Sequence, residues 1–519
     1  MSSASTPPRK TIGELLLVSP ITIGGMSLSS SRRRRITPAV EKTSPKRLAI
    51  ITRPGAVGTV VNHIDSSTIP NPLRWPIQSE LASIDNRSSL YEAFRNPLFQ
   101  AEPAQDGQEL LVPQHLILPF DIRDDEKAFL DPENRRLLYS IFTGTIGVAT
   151  DGWFVYLQQS ALPPKPWPLT VAGLPLYFQQ QMGENPMPKA LPVHWKNGSI
   201  AEDLNGRDME DWVPLFHIIK NHFRDIGVSI TEVMYFSHCV DIVLEHRDTD
   251  YTQLPRLAAK ILCYYMFEDE MGRPSTPHAR RLLDPAPGNP DISQYDTLQP
   301  GMRISSTYLP DSLDTFLATT TGVLVKDEVG NKFMTAAAHG FPGGKCGTSV
   351  WHAFPGTGRD IGELIMEVSH TDVALVKLHD RETFSNITFQ NDSIPVPIQL
   401  KKFVKSTDYP RRSIMCLDSP DTGYIEVDYL VPGFRAIPSD DGSPMRDWVR
   451  TKWCYLGQDS GINFHQEMCG SAMWDKDGNV LGFFRYAPQQ GAMVDWCVGI
   501  AADELINRGY TPVDMSDRT

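Results

Sequence analysis

Two spacings of apolar residues alternate along this chain. Leu215, Phe216, Ile218, Ile219 and Phe223 recur at helical spacing and predict an amphipathic helix. Pro214 suits its first turn and Gly227 suits its stop. Residues 230–244 alternate like a buried strand pair, and residues 254–267 read as a second, apolar helix. Trp153, Phe154, Val155, Tyr156 and Leu157 predict a strand, closed by Pro163, Pro164, Pro166 and Pro168. Residues 51–270 therefore read as an α+β region.

The pattern changes after residue 303. Short β-branched runs recur between turn signals: Val323, Leu324 and Val325; Phe333 and Met334; Val350 and Trp351; Ile361 to Met366; Val373 to Leu378; Tyr424 to Val427; Trp448 to Leu456; Val480 to Phe484; Ala492 to Ile500. Many short strands over roughly 215 residues suit an all-β domain of two packed six-stranded barrels, and are too many for one small barrel. Between the regions, residues 271–303 hold Pro274, Pro277, Pro285, Pro287, Pro290 and Pro300. Each proline fixes φ and removes a backbone donor, so this stretch reads as a linker. Residues 1–50, rich in Ser, Thr and Pro and carrying Arg32, Arg33, Arg34 and Arg35, read as a disordered basic arm. The arginines could also serve as a nuclear address.

Composition narrows the function classes. A chain of 519 residues holds about two to four domains. Lys+Arg 49 against Asp+Glu 62 leaves a net charge of −13, which argues against a dedicated nucleic-acid binder. No apolar run approaches the roughly 18 residues of a membrane span, so no membrane partner is expected. Leu15, Leu16, Leu17 and Val18, with Glu14 beside them, make a poor signal-peptide core. The 7 cysteines are odd in number and scattered, which reads as reduced thiols in a cytoplasmic or nuclear protein. His238, Cys239 and Cys263 match no zinc spacing and read as core residues. Residues 51–270 show neither a phosphate-binding GxxxxGK[ST] nor a dinucleotide loop, so no metal and no cofactor is expected.

Three segments carry candidate chemistry. In Met334-Thr335-Ala336-Ala337-Ala338-His339-Gly340 a strand ends in small residues and a histidine. In Asp372-Val373-Ala374-Leu375-Val376-Lys377-Leu378 an acid opens an apolar strand. In Met468-Cys469-Gly470-Ser471-Ala472-Met473-Trp474 a thiol precedes a glycine turn and a strand, then the turn Asp475-Lys476-Asp477-Gly478-Asn479 and the strand of Gly482.

Together, and in this order, the three segments resemble the histidine, aspartate and nucleophile motifs of the chymotrypsin-fold (trypsin-like) peptidases. The resemblance covers residues 304–505. It implies a chymotrypsin-like double β-barrel acting on a protein or peptide substrate by acyl transfer. Cys469 would be the nucleophile, His339 the general base and Asp372 its orienter, as in the cysteine-nucleophile members of the fold. Backbone N–H groups of Glu467, Met468 and Cys469 would face the oxyanion, with Gly470 completing the turn. Asn463, Arg485 and Tyr486, with His465 beside them, would line the specificity pocket, where Arg485 would meet an acidic side chain or Glu467.

This chain departs from the family's pattern at Glu467, where the family carries glycine. That residue favours a rival reading, a catalytically impaired pseudoprotease that binds peptides without cleaving them. Ser471 and then Ser460 are the alternative nucleophiles, but either spoils the spacing of the hairpin that follows. The N-terminal region is expected to recruit substrate or regulate access.

Overall fold

The structure, a computed structural model, describes residues 48–51, 60–61, 115–273, 293–308, 316–341, 346–353, 358–368, 371–390, 394–419, 423–437, 447–460 and 468–514, apart from positions 164, 166, 182, 489 and 492. Residues 1–47 of the basic arm, the prolines from 274 to 290, and Asn463, His465 and Glu467 lie outside the described residues, while residues 48–50, expected to be disordered, form part of a strand. No helix among the described residues is long and apolar enough to cross a membrane. The chain divides into two compact units, Met1–Pro186 and Met187–Thr519.

Among the described residues the first unit holds one sheet. Its strands are β1 (Leu48–Ile51), β2 (Val60–Val61), β3 (His115–Ile117), β4 (Thr145–Thr150), β5 (Val155–Gln159), β6 (Thr170–Val171) and β7 (Leu174–Gln179), in the spatial order β2-β1-β3-β6-β7-β5-β4. The predicted strand at residues 153–157 begins later, because Asp151 holds Trp153 and Phe154 in a turn by accepting both N–H groups at 2.7 Å. Helix α1 (Pro132–Ile141) starts on the Asp131 carboxylate, which accepts from Glu133 N at 2.8 Å, with Pro132 at the start of the helix. Its Leu138 and Ile141 are buried with Val155, Leu157 and Phe178 in this unit's core.

The second unit opens with β8 (Leu191–Pro192), β9 (Ser199–Ile200), helix α2 (Val213–Asp225), β10 (Ile230–Tyr235), β11 (Cys239–Leu244), β12 (Leu257–Ala258) and β13 (Ile261–Phe267). The strand pair at 230–244 and the helix at 215–223 form as the spacing predicts. The helix expected over 254–267 does not: that stretch is a hairpin. Ala259 and Lys260 take left-handed φ values of 48° and 67° and turn β12 back onto β13, pairing Ala258 with Ile261. Leu-Ala runs look helical, but Tyr264, Tyr265 and Phe267 suit a strand lying against β11, and tertiary pairing overrides local propensity.

Two further sheets follow. The strands β14 (Thr297–Leu298) and β22 (Thr383–Phe384) pair in parallel. The strands β15 (Arg303–Tyr308), β16 (Phe316–Thr320), β17 (Leu324–Lys326), β18 (Lys332–Ala337), β19 (Ser349–His352), β20 (Arg359–Glu367), β21 (Val373–Leu378) and β30 (Thr511–Pro512) make an eight-stranded antiparallel sheet, ordered β16-β15-β19-β20-β21-β18-β17-β30. Among the described residues no backbone pairing joins its two ends, so only its neighbour closes as the expected six-stranded barrel.

That barrel is built from β24 (Ser413–Ser419), β25 (Gly423–Ile437), β26 (Asp447–Tyr455), β27 (Ala472–Trp474), β28 (Asn479–Tyr486) and β29 (Trp496–Ala501), with β23 (Lys402–Phe403) against β28. Its order is β24-β27-β28-β29-β26-β25, and β25 pairs back onto β24. The 15-residue β25 serves two neighbours along one edge. Its Gly423–Tyr429 part closes the ring, and Gly433, Phe434 and Arg435 pair with Met234, Val233 and Glu232 of β10. Helix α2 packs on this junction, with Phe216 stacked on Phe434 at 3.9 Å between ring centroids. Residues 187–273 thus belong to the same sheet as the barrel, and their core takes in Phe434 and Trp448 of its strands. The units divide after Pro186, not in the proline-rich stretch 271–303. A last short helix, α3 (Asp503–Ile506), follows β29.

Candidate active site

His339 sits in a short 3-10 turn, Ala338–Gly340, at the end of β18. The small residues before it are needed for close approach. Gly470 has φ +94°, and a Cβ there would meet Thr320 O at 2.5 Å and Ala337 N at 2.6 Å, so the backbones of the two sheets touch where the thiol turn begins. The Cys469 carbonyl is held from the eight-stranded sheet, accepting from Thr320 N at 2.9 Å and from Thr319 Oγ1 at 2.5 Å. Gly470 N donates into the barrel, to Phe484 O at 2.8 Å.

Asp372 opens β21 in a left-handed conformation, φ +61°, its N–H donating to Glu367 Oε1 at 2.9 Å. A non-glycine residue there is strained, and such strain gathers where geometry is over-determined by function. The turn lets one residue hold the histidine through three contacts and the preceding Ala338 through a fourth. Asp372 O accepts from Ala338 N at 2.9 Å, and Oδ1 accepts from His339 N at 3.0 Å. The imidazole Nδ1 lies 3.0 Å from Oδ1 and 2.8 Å from Oδ2. The Cys469 side chain is the other neighbour whose charge acts on the imidazole, so both carboxylate and thiol bear on His339. The sulfur also lies 2.7 Å from Arg485 O, to which its S–H donates in the thiol form.

The electrostatics follow from burial and neighbours. Burial lowers the His339 pKa, but the charges of Asp372 and Cys469 and the hydrogen bond to Asp372 outweigh it and raise it to about 9. Burial pushes the Asp372 carboxyl up, yet His339 and Arg485 together hold it well below the usual carboxylate range. At neutral pH the pair is therefore imidazolium and carboxylate.

The remaining predicted residues are placed as follows. Met468 is buried beside Cys469 in a core that includes Met415, Leu417 and Leu481. The Ser471 hydroxyl is buried and without a hydrogen-bond partner, whereas the thiol two residues earlier bears on the imidazole. Arg485, at 5% exposure, donates from Nε to Asp372 Oδ2 at 2.8 Å, and so faces the aspartate. Tyr486 is buried, its hydroxyl accepting from Arg435 Nη1 at 2.8 Å. Cys239 and Cys263 lie in the core, and burial together with nearby arginines lowers the His238 pKa to about 4. Among the described residues no group of three His, Cys, Asp or Glu side chains is disposed to hold a metal ion.

Sequence reasoning missed the Arg485–Asp372 pair and the arginines behind it. These partners stand 113 positions apart and share no motif spacing, so only the fold brings them together.

The sequence matches no family model and no curated protein. Solved structures similar to it include a protease of Nocardiopsis, at 13% identity over 42% of this chain and 100% of that one, with a TM-score of 0.30. Protease A of Thermobifida fusca is 11% identical over 42% of this chain and 98% of its own, TM-score 0.29. A Cellulomonas bogoriensis chymotrypsin is 11% identical over 42% of this chain and 99% of its own, TM-score 0.28.

Proposed function

We propose that the second unit is a chymotrypsin-like endopeptidase with a cysteine nucleophile, acting on protein or peptide substrates. The observation that carries this reading is the His339 imidazole held by Asp372 at 2.8 Å, with Cys469 as the other side chain whose charge acts on the ring. In this reading the imidazolium carries the proton given up by the Cys469 thiol, and the thiolate attacks the peptide carbonyl. His339 then gives that proton to the leaving amine, and a thioester remains on Cys469. Water, deprotonated by the same imidazole, hydrolyses the thioester and releases the acid. Asp372 fixes the ring's tautomer and stabilises the imidazolium throughout. The N–H groups of residues 467–469 are the oxyanion donors in this reading. The unbridged cysteines suit a reducing compartment, cytoplasmic or nuclear.

The test is the iodoacetamide alkylation rate of each cysteine at pH 6, read by mass spectrometry, with His339→Ala as control. A thiol of pKa about 8.5 is nearly unreactive there, and an imidazole-paired thiolate is not. Fast alkylation of Cys469 that slows in His339→Ala, together with Cys469-dependent cleavage of a peptide library, supports the reading. Cys469 reacting no faster than the other buried thiols removes it, and leaves a peptide-binding module on the same fold.

A further inference from the structure

We propose that Arg485 is a positioning residue for this reaction: its guanidinium shares the Asp372 carboxylate with His339 while its own carbonyl receives the Cys469 thiol, so that one residue of β28 sets two members of the triad. The inference rests on the peptidase reading of His339, Asp372 and Cys469.

The contacts are specific. Asp372 Oδ2 accepts from Arg485 Nε at 2.8 Å and lies at 2.8 Å from His339 Nδ1. The bond from Cys469 Sγ to Arg485 O ties the nucleophile to the same backbone position. A carboxylate gripped by two cations cannot rotate away when the imidazole loses its proton, because Arg485 would then be left buried without a counter-charge.

The surroundings explain why Arg485 has no better partner than Asp372. Three guanidinium groups crowd Tyr486. Those of Arg435 and Arg485 lie 5.5 and 5.9 Å from its ring centroid, and Arg273 is close enough to both to weigh on their charge. Two carboxylates of the 187–273 segment neutralise the other pair. Glu268 Oε1 lies 2.7 Å from Arg273 Nη1 and 3.7 Å from Arg435 Nη2, and Glu232 pairs with Arg273. Glu232 is further fixed by Trp453 Nε1, which donates to it at 2.7 Å. With those acids occupied, the remaining guanidinium goes to Asp372. The groups facing His339 are thus Asp372 and Cys469, with Arg485 behind Asp372 and Glu367 on the Asp372 N–H. Those facing Arg485 are Asp372, Tyr486, Arg273 and Arg435.

The experiment follows the His339 imidazole by 15N NMR of the full-length chain labelled at histidine, with His339→Ala for assignment. The wild-type midpoint is expected near pH 9. In Arg485→Met a positive charge is gone and Asp372 acts on the ring alone, so the midpoint moves up by roughly half to one pH unit. Where a cleavable peptide is in hand, kcat falls about 10- to 100-fold while KM stays within about twofold, as expected for lost orientation. Arg485→Lys keeps the midpoint near the wild-type value and restores part of kcat. A folded Arg485→Met protein with an unmoved midpoint overturns the proposal. Should Arg485→Met fail to fold, Arg485→Gln removes the charge while keeping a donor and is read the same way. A moved midpoint in a protein that cleaves no peptide, even as wild type, supports the contact and overturns the peptidase reading.

Discussion

Two clusters of buried charge lie in the second unit, and they differ in one respect. Around Asp372 the cations are a histidine and an arginine, His339 and Arg485. Around Glu232 and Glu268 both cations are arginines, Arg273 and Arg435. Both clusters meet the requirement that a buried carboxylate be paired. Only the first contains a histidine, whose pKa is raised to about 9 and which can give up its proton at mildly alkaline pH, as the arginines cannot. The arginine cluster fastens the 187–273 segment to the barrel, and in the proposed reading the histidine cluster moves a proton.

Substitution separates the two roles most sharply. Cys469→Ala or His339→Ala should lower kcat by about 10⁴-fold or more, because the members of such a triad act as a unit. Arg273→Met should do the reverse. It strands Glu232, which is 0% exposed, so stability should fall by about 3–5 kcal/mol while kcat of the folded fraction changes by less than about tenfold. Urea unfolding and peptide hydrolysis on the same preparations distinguish the outcomes. Asp372→Asn should fall between, losing roughly 10³- to 10⁴-fold in kcat through the wrong imidazole tautomer, with KM little changed. If Arg273→Met silences the enzyme while leaving it fully folded, the division of labour between the clusters is wrong.

Acidity draws the same line. His339 titrates at about 9 in the folded chain against 6.5 ordinarily, so the stability it contributes is whole below pH 6.5 and is lost as pH rises through about 9. That contribution is roughly 3 to 4 kcal/mol. Asp372 runs the other way. Its carboxyl is held down, so its contribution is whole above the ordinary carboxylate range and is lost as pH falls below it. The urea midpoints of wild type and His339→Gln should therefore converge between pH 6.5 and 9.5. The gap between wild type and Arg273→Met should stay constant from pH 6.5 to 8, since burial lowers the Arg435 pKa only to about 10. A gap that closes for both variants would mean that the arginine cluster also titrates.

The legibility of these regions in the sequence follows the same contrast. His339, Asp372 and Cys469 each end or open a short strand in a motif of local residues, so their order along the chain was enough to nominate them. The strands at residues 349–351, 361–366, 373–378 and 480–484 were equally plain, because alternation is local. What was hidden depends on distant pairing. Nothing within Tyr424 to Val427 announces that the strand runs on to Ile437 and there receives β10. The hairpin at Ala259 and Lys260 lacks the glycine or asparagine that usually marks such a turn. The sequence nominates Arg485 for a specificity pocket, and its partner, Asp372, could be named only once β28 lay beside the turn of Asp372.

The smallest expected effect bears on which side chain attacks. Ser471 follows the glycine turn, and its hydroxyl is buried with no partner. An unpaired buried hydroxyl costs stability, so Ser471→Ala should leave the protein unchanged or firmer by about 1 kcal/mol or less. Because no imidazole meets that hydroxyl, peptide hydrolysis and the alkylation rate of Cys469 should both stay at wild-type values. A large loss of hydrolysis in Ser471→Ala, with Cys469 still alkylated at its usual rate, would move the nucleophile to the serine. It would also detach the histidine cluster from the thiol it is built around.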